Sequence, residues 1–140
     1  MARLLIRMLG QFQVTLDGRP VSGFESNKVR ALLAYLAVEA DCAHSRDQLV
    51  GLLWSDWPQA AARRNLSRAL HNLRTVLDDL HARPPFLLIT PQTLQIEPTS
   101  DTWADVAAFE ALLRGQPSVQ QLTHAVDLYR GAFLEGFSLG

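Results

Sequence analysis

The chain has 140 residues, 48% of them hydrophobic and 19% charged, with a net charge of −1. That balance fits one folded domain, or one domain with part of another, and excludes disorder. A single cysteine, Cys42, excludes an internal disulfide and a cysteine-based zinc site, and it reads as a small apolar filler near a helix end. The opening MARLLIRMLG is too short, and too interrupted by Arg3 and Arg7, for a secretory signal. No apolar run approaches the roughly 18 residues of a membrane span, so a soluble, cytoplasmic protein with no membrane partner is expected. Charge is unevenly spread. Residues 1–100 carry eleven Lys and Arg against nine Asp and Glu, and residues 101–140 carry two against five.

Residues 3–9 and 12–17 read as strands broken at Gly10 and at Asp17-Gly18, and the alternation of Val14 and Leu16 with Thr15 and Asp17 gives one wet face. A third short strand at 20–22 completes a small antiparallel sheet. Ser26 is placed to cap a helix over 27–39, with Val29, Leu32, Leu33, Leu36 and Ala37 on its core stripe and Lys28 and Arg30 in water. Residues 41–44 read as a loop. The pattern Ser45-Arg-Asp-Gln48 then opens a second helix running to about Trp54.

Residues 58–80 read as one amphipathic helix. Leu66, Leu70, Leu73, Leu77 and Leu80 fall on a single stripe of a 3.6-residue helix. At about 100° per residue, Arg64, Arg68, His71 and Thr75 project near the opposite pole. Arg63 and Arg74 lie on one flank, Asn65 and Asn72 on the other, and no acid falls between Asp56 and Asp78. A solvated helix face ordinarily mixes its signs. An all-cationic face carrying Asn, Ser and His suits a DNA major groove, where cations meet phosphates and forked or amide side chains meet base edges. A plain arginine-rich solvated face is the alternative.

Pro84-Pro85 ends this region, and 86–90 and 94–97 read as a hairpin around Pro91-Gln92-Thr93. Helix, helix, recognition helix and hairpin together make a winged helix-turn-helix. Composition shifts at 97–101. Asp101 or Thr102 is placed to cap a helix ending at Gly115, and a second helix begins at Pro117-Ser118 with Val119, Leu122, Val126 and Tyr129 as its apolar side. Two such helices bury little alone and read as the opening of a larger helical domain, the alternative being that they pack back on the first domain.

The runs GFESNKVRALLAYLA, HSRDQLVGLLWSD and ARRNLSRALHNLR resemble the OmpR/PhoB-type winged helix of bacterial SARP-class regulators. The blocks DTWADVAAFEALL and LYRGAFLEGF resemble the start of their bacterial transcriptional activator domain (BTAD). The resemblance implies an α+β fold, with a winged helix-turn-helix carrying a small N-terminal antiparallel sheet and a C-terminal hairpin wing over residues 1–98. The first helices of an all-α, tetratricopeptide-like domain would occupy 99–140. It implies a transcription activator that binds double-stranded promoter DNA, often as side-by-side copies on direct repeats, and recruits RNA polymerase. The recognition helix falls on 61–80, with Arg64, Ser67, Arg68, His71 and Thr75 outward. The loop of Trp54, Ser55, Asp56 and Trp57 falls on the polymerase-facing segment, and the wing on 85–97.

Arg64 and Arg68 are the expected base or phosphate contacts. Arg63 and Arg74 are the expected phosphate clamps, unless they bridge to Asp78 or another helix. Trp54 fits a core position as well as a polymerase-facing one, and Trp103 and Phe109 read as packing between the two parts. Gly136-Phe-Ser138-Leu-Gly140 matches a nucleophile elbow by letters, but it follows a helix and lacks Asp and His partners beyond it. His44, His71, His81 and His124 share no metal-ligand spacing, and no glycine-rich phosphate loop occurs. Neither enzyme chemistry, metal nor cofactor is expected. The rival reading is a winged-helix module that binds protein rather than DNA.

Overall fold

A computed structural model describes residues 2–129 and Leu134; the Gly136–Gly140 elbow pattern and most of the LYRGAFLEGF block lie outside the described residues. Strands β1 (Arg3–Arg7), β2 (Gln13–Leu16) and β3 (Arg19–Pro20) pair antiparallel. Leu4, Ile6 and Val14 point into the core, while Leu5 and Thr15 take the other face. Asp17 and Gly18 both have positive φ, 51° and 80°, as the tightest hairpin turns require. Asp17 also accepts from Arg3 N at 2.8 Å, which ties the turn back to β1.

Residues 101–104 depart from expectation. They form a strand, β7 (Asp101–Ala104), parallel to β1, in a sheet of order β3-β2-β1-β7. Without β7 the edge of β1 away from β2 would leave backbone groups without partners beside the core. Neither Asp101 nor Thr102 caps a helix; helix α4 (Asp105–Leu113) starts later. The carboxylate of Asp105, 1% exposed, accepts from Met8 N at 2.8 Å and from Leu9 N at 2.9 Å, locking α4 to the end of β1.

Helices α1 (Asn27–Val38), α2 (Arg46–Leu53) and α3 (Gln59–Val76) pack on one another. Ser26 occupies the N-cap of α1 without a side-chain bond, whereas Ser45 caps α2 by accepting from Gln48 N at 3.0 Å. His44, read as the end of a loop, instead forms with Ser45 a short strand, β4 (His44–Ser45), pairing with β6 (Thr93–Ile96), which pairs with β5 (Leu87–Ile89). Two residues are too few to show a period. His44 is buried there, its Nε2 2.7 Å from Glu39 O and its ring edge-on to Tyr35 at 5.0 Å. Cys42 is exposed rather than a core filler.

Helix α5 (Val119–Leu128) begins at a reciprocal Ser118/Gln121 capping box. Its apolar residues Val119, Leu122, Val126 and Tyr129 are exposed, and Ala125 alone in α5 is buried. Phe109 of α4 faces Tyr129 at 6.3 Å, and Trp103 lies on the outer sheet face under the Arg7 guanidinium at 5.8 Å.

Replacing Asp105 with Ala strands two buried N–H groups, so Asp105→Ala should lose about 2–4 kcal/mol of unfolding free energy. Asp105→Asn, which keeps one acceptor oxygen, should lose less. Urea denaturation of the two variants beside wild type checks both.

Candidate nucleic-acid interface

The leucine seam of α3 is inside. Leu66, Leu70, Leu73 and Leu77 are buried, with Ala62 and Ala69 beside them, against α1 and α2. Arg63, Arg64, Ser67, Arg68, His71 and Thr75 are exposed on the other side, and Arg74 is half-buried. Thr75 Oγ1 donates back to His71 O at 2.9 Å.

The helix ends earlier than the leucine spacing suggests. Leu80 is 65% exposed and belongs to no core stripe. Asp78 takes a left-handed φ of 52°. Asp78 N bonds Thr75 O at 3.2 Å and Asp79 N bonds Arg74 O at 2.9 Å, the paired closure of a Schellman end with Asp where Gly is commoner. This turn drives Asp79 inward, 3% exposed. Its Oδ1 accepts from Phe86 N at 2.7 Å and Leu87 N at 3.3 Å, where the wing begins. Two adjacent acids at a helix end carry no signal of such a role in their spacing, because acids there are ordinarily solvated.

The four arginines differ in how they are held. Arg63 Nη2 meets Asp47 of α2 at 3.0 Å, and Arg68 Nε meets Glu25 at 3.5 Å. Both pairs are open to solvent, where such contacts contribute at most about 1 kcal/mol. Arg74 Nε lies 3.7 Å from the buried Asp79 carboxylate and is the least free to reach outward. Among the described residues Arg64 has no ion-pair partner.

The wing sits beside this face. Arg46 at the start of α2 holds the tip twice, its N donating to Gln92 O at 2.9 Å and its Nη2 to Thr90 O at 3.0 Å. Ser45, Asp47, Arg63, Ser67 and Gln92 line the groove between the tip and α3. On the other side, Asn72 donates to Gly23 O and accepts from Glu25 N, both at 3.0 Å. That structural use of Asn72 carries no signal in the spacing of α3.

The loop before α3 divides. Trp54 is buried, so it cannot offer its ring to a partner, whereas Ser55, Asp56 and Trp57 are exposed. Lys28 is not in free solvent as expected. Its Nζ donates to Leu53 O at 2.7 Å and lies 5.6 Å from the Trp54 ring centroid, a cation placed on the C-terminal end of α2. Arg30 likewise packs over Phe24 at 5.5 Å and bonds Asn27 at 2.9 Å. Among the described residues no group of three His, Cys, Asp or Glu could hold a metal ion, and no helix is long and apolar enough to cross a membrane.

A winged helix with an outward cationic third helix, followed by a pair of helices, is the arrangement that the resemblance to SARP-class regulators implies. The chain is similar to transcriptional regulators of known sequence and structure. The transcriptional regulatory protein EmbR of Mycobacterium tuberculosis, like that of Mycobacterium bovis, is 37% identical over 87 residues, 61% of this chain and 22% of the relative. The solved structure of M. tuberculosis EmbR in complex with a low-affinity phosphopeptide superposes with a TM-score of 0.80 at 28% identity. That match covers 98% of this chain and 38% of the solved one, so the chain spans well under half the length of these relatives. No family model matches.

Asp79→Ala would leave Phe86 N and Leu87 N unpaired and Arg74 without its carboxylate. It should lower unfolding free energy by about 2–4 kcal/mol. Asp78→Gly, by contrast, suits the left-handed φ and gives up only an exposed pair with His81, so it should stay within about 1 kcal/mol of wild type. Denaturant titration distinguishes them.

Proposed function

We propose that this chain is the promoter-reading part of a cytoplasmic bacterial transcription activator. Residues 1–98 serve as the winged-helix DNA-binding unit and 99–140 as the opening of the activator domain. The observation that carries this reading is the outward cationic face of α3 lying over a fully buried leucine seam. In the major groove, Arg64, Ser67, Arg68, His71 and Thr75 meet base edges and nearby phosphates. Arg63 and Arg74 anchor the backbone from the flank, with the wing at 85–97 beside them; these contacts supply affinity without sequence choice. Arg74, tethered to Asp79, contributes the least of the four arginines. The exposed Ser55, Asp56 and Trp57 face RNA polymerase; Trp54 acts only as the packed base of that loop. Copies bind side by side on direct repeats. The chain performs no chemistry, and its work is placement.

Arg63 and Arg74 meeting phosphates give a plot of log affinity for duplex DNA against log salt a slope of about −2. Fluorescence anisotropy on a promoter duplex at several salt concentrations measures it. Failure to bind any duplex, with salt-indifferent capture of a protein, favours the protein-interaction module instead.

Single substitutions sort the contacts. Arg64→Ala should relax preference at one base pair by about 1–3 kcal/mol. Arg63→Ala should weaken all duplexes alike and flatten the salt slope by about 1. Binding of both variants to a panel of single-base-pair variants of the site separates the two roles.

A further inference from the structure

Arg68, Asn72 and Val76 are spaced four apart and so stack along one line of α3. The loop at 23–25 runs up that line. Gly23, with φ +97°, lies so close that a Cβ there would stand 3.2 Å from Val76 Cγ1. Asn72 then grips the loop on both sides of Phe24, at Gly23 O and Glu25 N. One turn further toward the helix start, Glu25 Oε2 reaches Arg68 Nε at 3.5 Å. The Arg68 side chain is 78% exposed and that of Glu25 48%. Glu25 thus differs from an ordinary surface acid, because its backbone is registered to the same helix that carries its cation.

We propose that Glu25 is a positioning residue for Arg68 and a determinant of sequence choice, an inference that rests on the DNA reading above. Its carboxylate holds the Nε edge of the guanidinium and leaves the Nη1–Nη2 edge for the acceptor pair of a guanine. An arginine free to turn about its four torsions must be ordered on binding; one held by a registered carboxylate is ordered beforehand. The same negative charge beside the duplex repels phosphates, so it costs affinity everywhere and favours the one arrangement in which Arg68 is satisfied by both partners. This is discrimination gained by opposing the wrong complex. Affinity and specificity should therefore move in opposite directions when the charge is removed, which a merely structural role of the loop does not produce.

The test uses the whole chain and a site selected by wild type from a random duplex library. Binding is then measured to that site, to its single-base-pair variants and to poly(dI-dC). Glu25→Gln keeps the side-chain size and the backbone bond to Asn72. It should bind poly(dI-dC) about threefold more tightly while losing about threefold in discrimination at one base pair. Arg68→Ala should relax that same base pair, and adding Glu25→Gln to it should change nothing further there. A wild type that selects a site while Glu25→Gln discriminates equally well at every position overturns the inference and leaves the DNA reading standing. Equal weakening on specific and non-specific duplex also overturns it. A wild type that selects no sequence and binds no duplex overturns the DNA reading, and the role of Glu25 with it.

Discussion

The rotation of α3 about its own axis decides everything this molecule presents. Leu66, Leu70, Leu73 and Leu77 are buried against the first two helices, and each contributes about 1.5–3 kcal/mol by leaving water. A turn of the helix by one residue, about 100°, would withdraw that seam and press into the same space either the guanidiniums of Arg63 and Arg74 or the amides of Asn65 and Asn72, where an unpaired charge or amide is costlier than an exposed leucine. Both terms oppose the rotation. The cationic face is therefore exposed because the core holds the other side, and no separate interaction need keep it outward.

A face of fixed rotation is useful for reading a groove only if its neighbours are fixed with it. Asp79 supplies one attachment, joining the end of α3 to the first residues of the wing through Phe86 N and Leu87 N. Arg46 supplies another at the wing tip through Thr90 O and Gln92 O. The hairpin is thus held at both ends by residues adjoining the helices, so helix and wing present one surface whose internal distances do not have to be established on binding. The ion pair of Arg63 with Asp47 is of another kind. It lies in solvent and holds little energy, so this guanidinium can be re-partnered without disturbing the frame.

The chain's pattern reveals the frame well and the attachments poorly. A stripe of four leucines on α3 and the core residues of α1 are legible because burial imposes a period of 3.6, which many residues report together. The fifth leucine, Leu80, continues the spacing by coincidence. The backbone turns at Asp78, where a left-handed residue that is not glycine leaves no mark in composition. Strands β4 and β7 are equally hidden. One is two residues long, and the other is defined by the edge it completes, a partner almost a hundred residues away. Trp54 and Trp57 have one residue type and opposite environments, settled only by the loop geometry. Asn72, Glu25, Asp79 and Asp105 act through single backbone groups brought near by the fold, and such contacts have no periodicity to read.

Strand β7 also determines how whatever follows is carried. Parts joined by a polar linker take their relative orientation from chain flexibility. Here the connection enters the N-terminal sheet instead. The ladder of β1 with β7 fixes four residues by backbone hydrogen bonds. Immediately after it the buried Asp105 carboxylate captures Met8 N and Leu9 N, so the first turn of α4 is bound to the far end of the same strand. Ala104 lies in the same apolar cluster as Leu4 and Ile6, which extends through Leu36 to Leu73 of α3. The helices that follow thus start from a direction set by the core that also orients the arginine face. Any change of angle between them has to break the ladder or strand two buried amides, and the cost of leaving buried donors unpaired makes this junction a brace rather than a hinge.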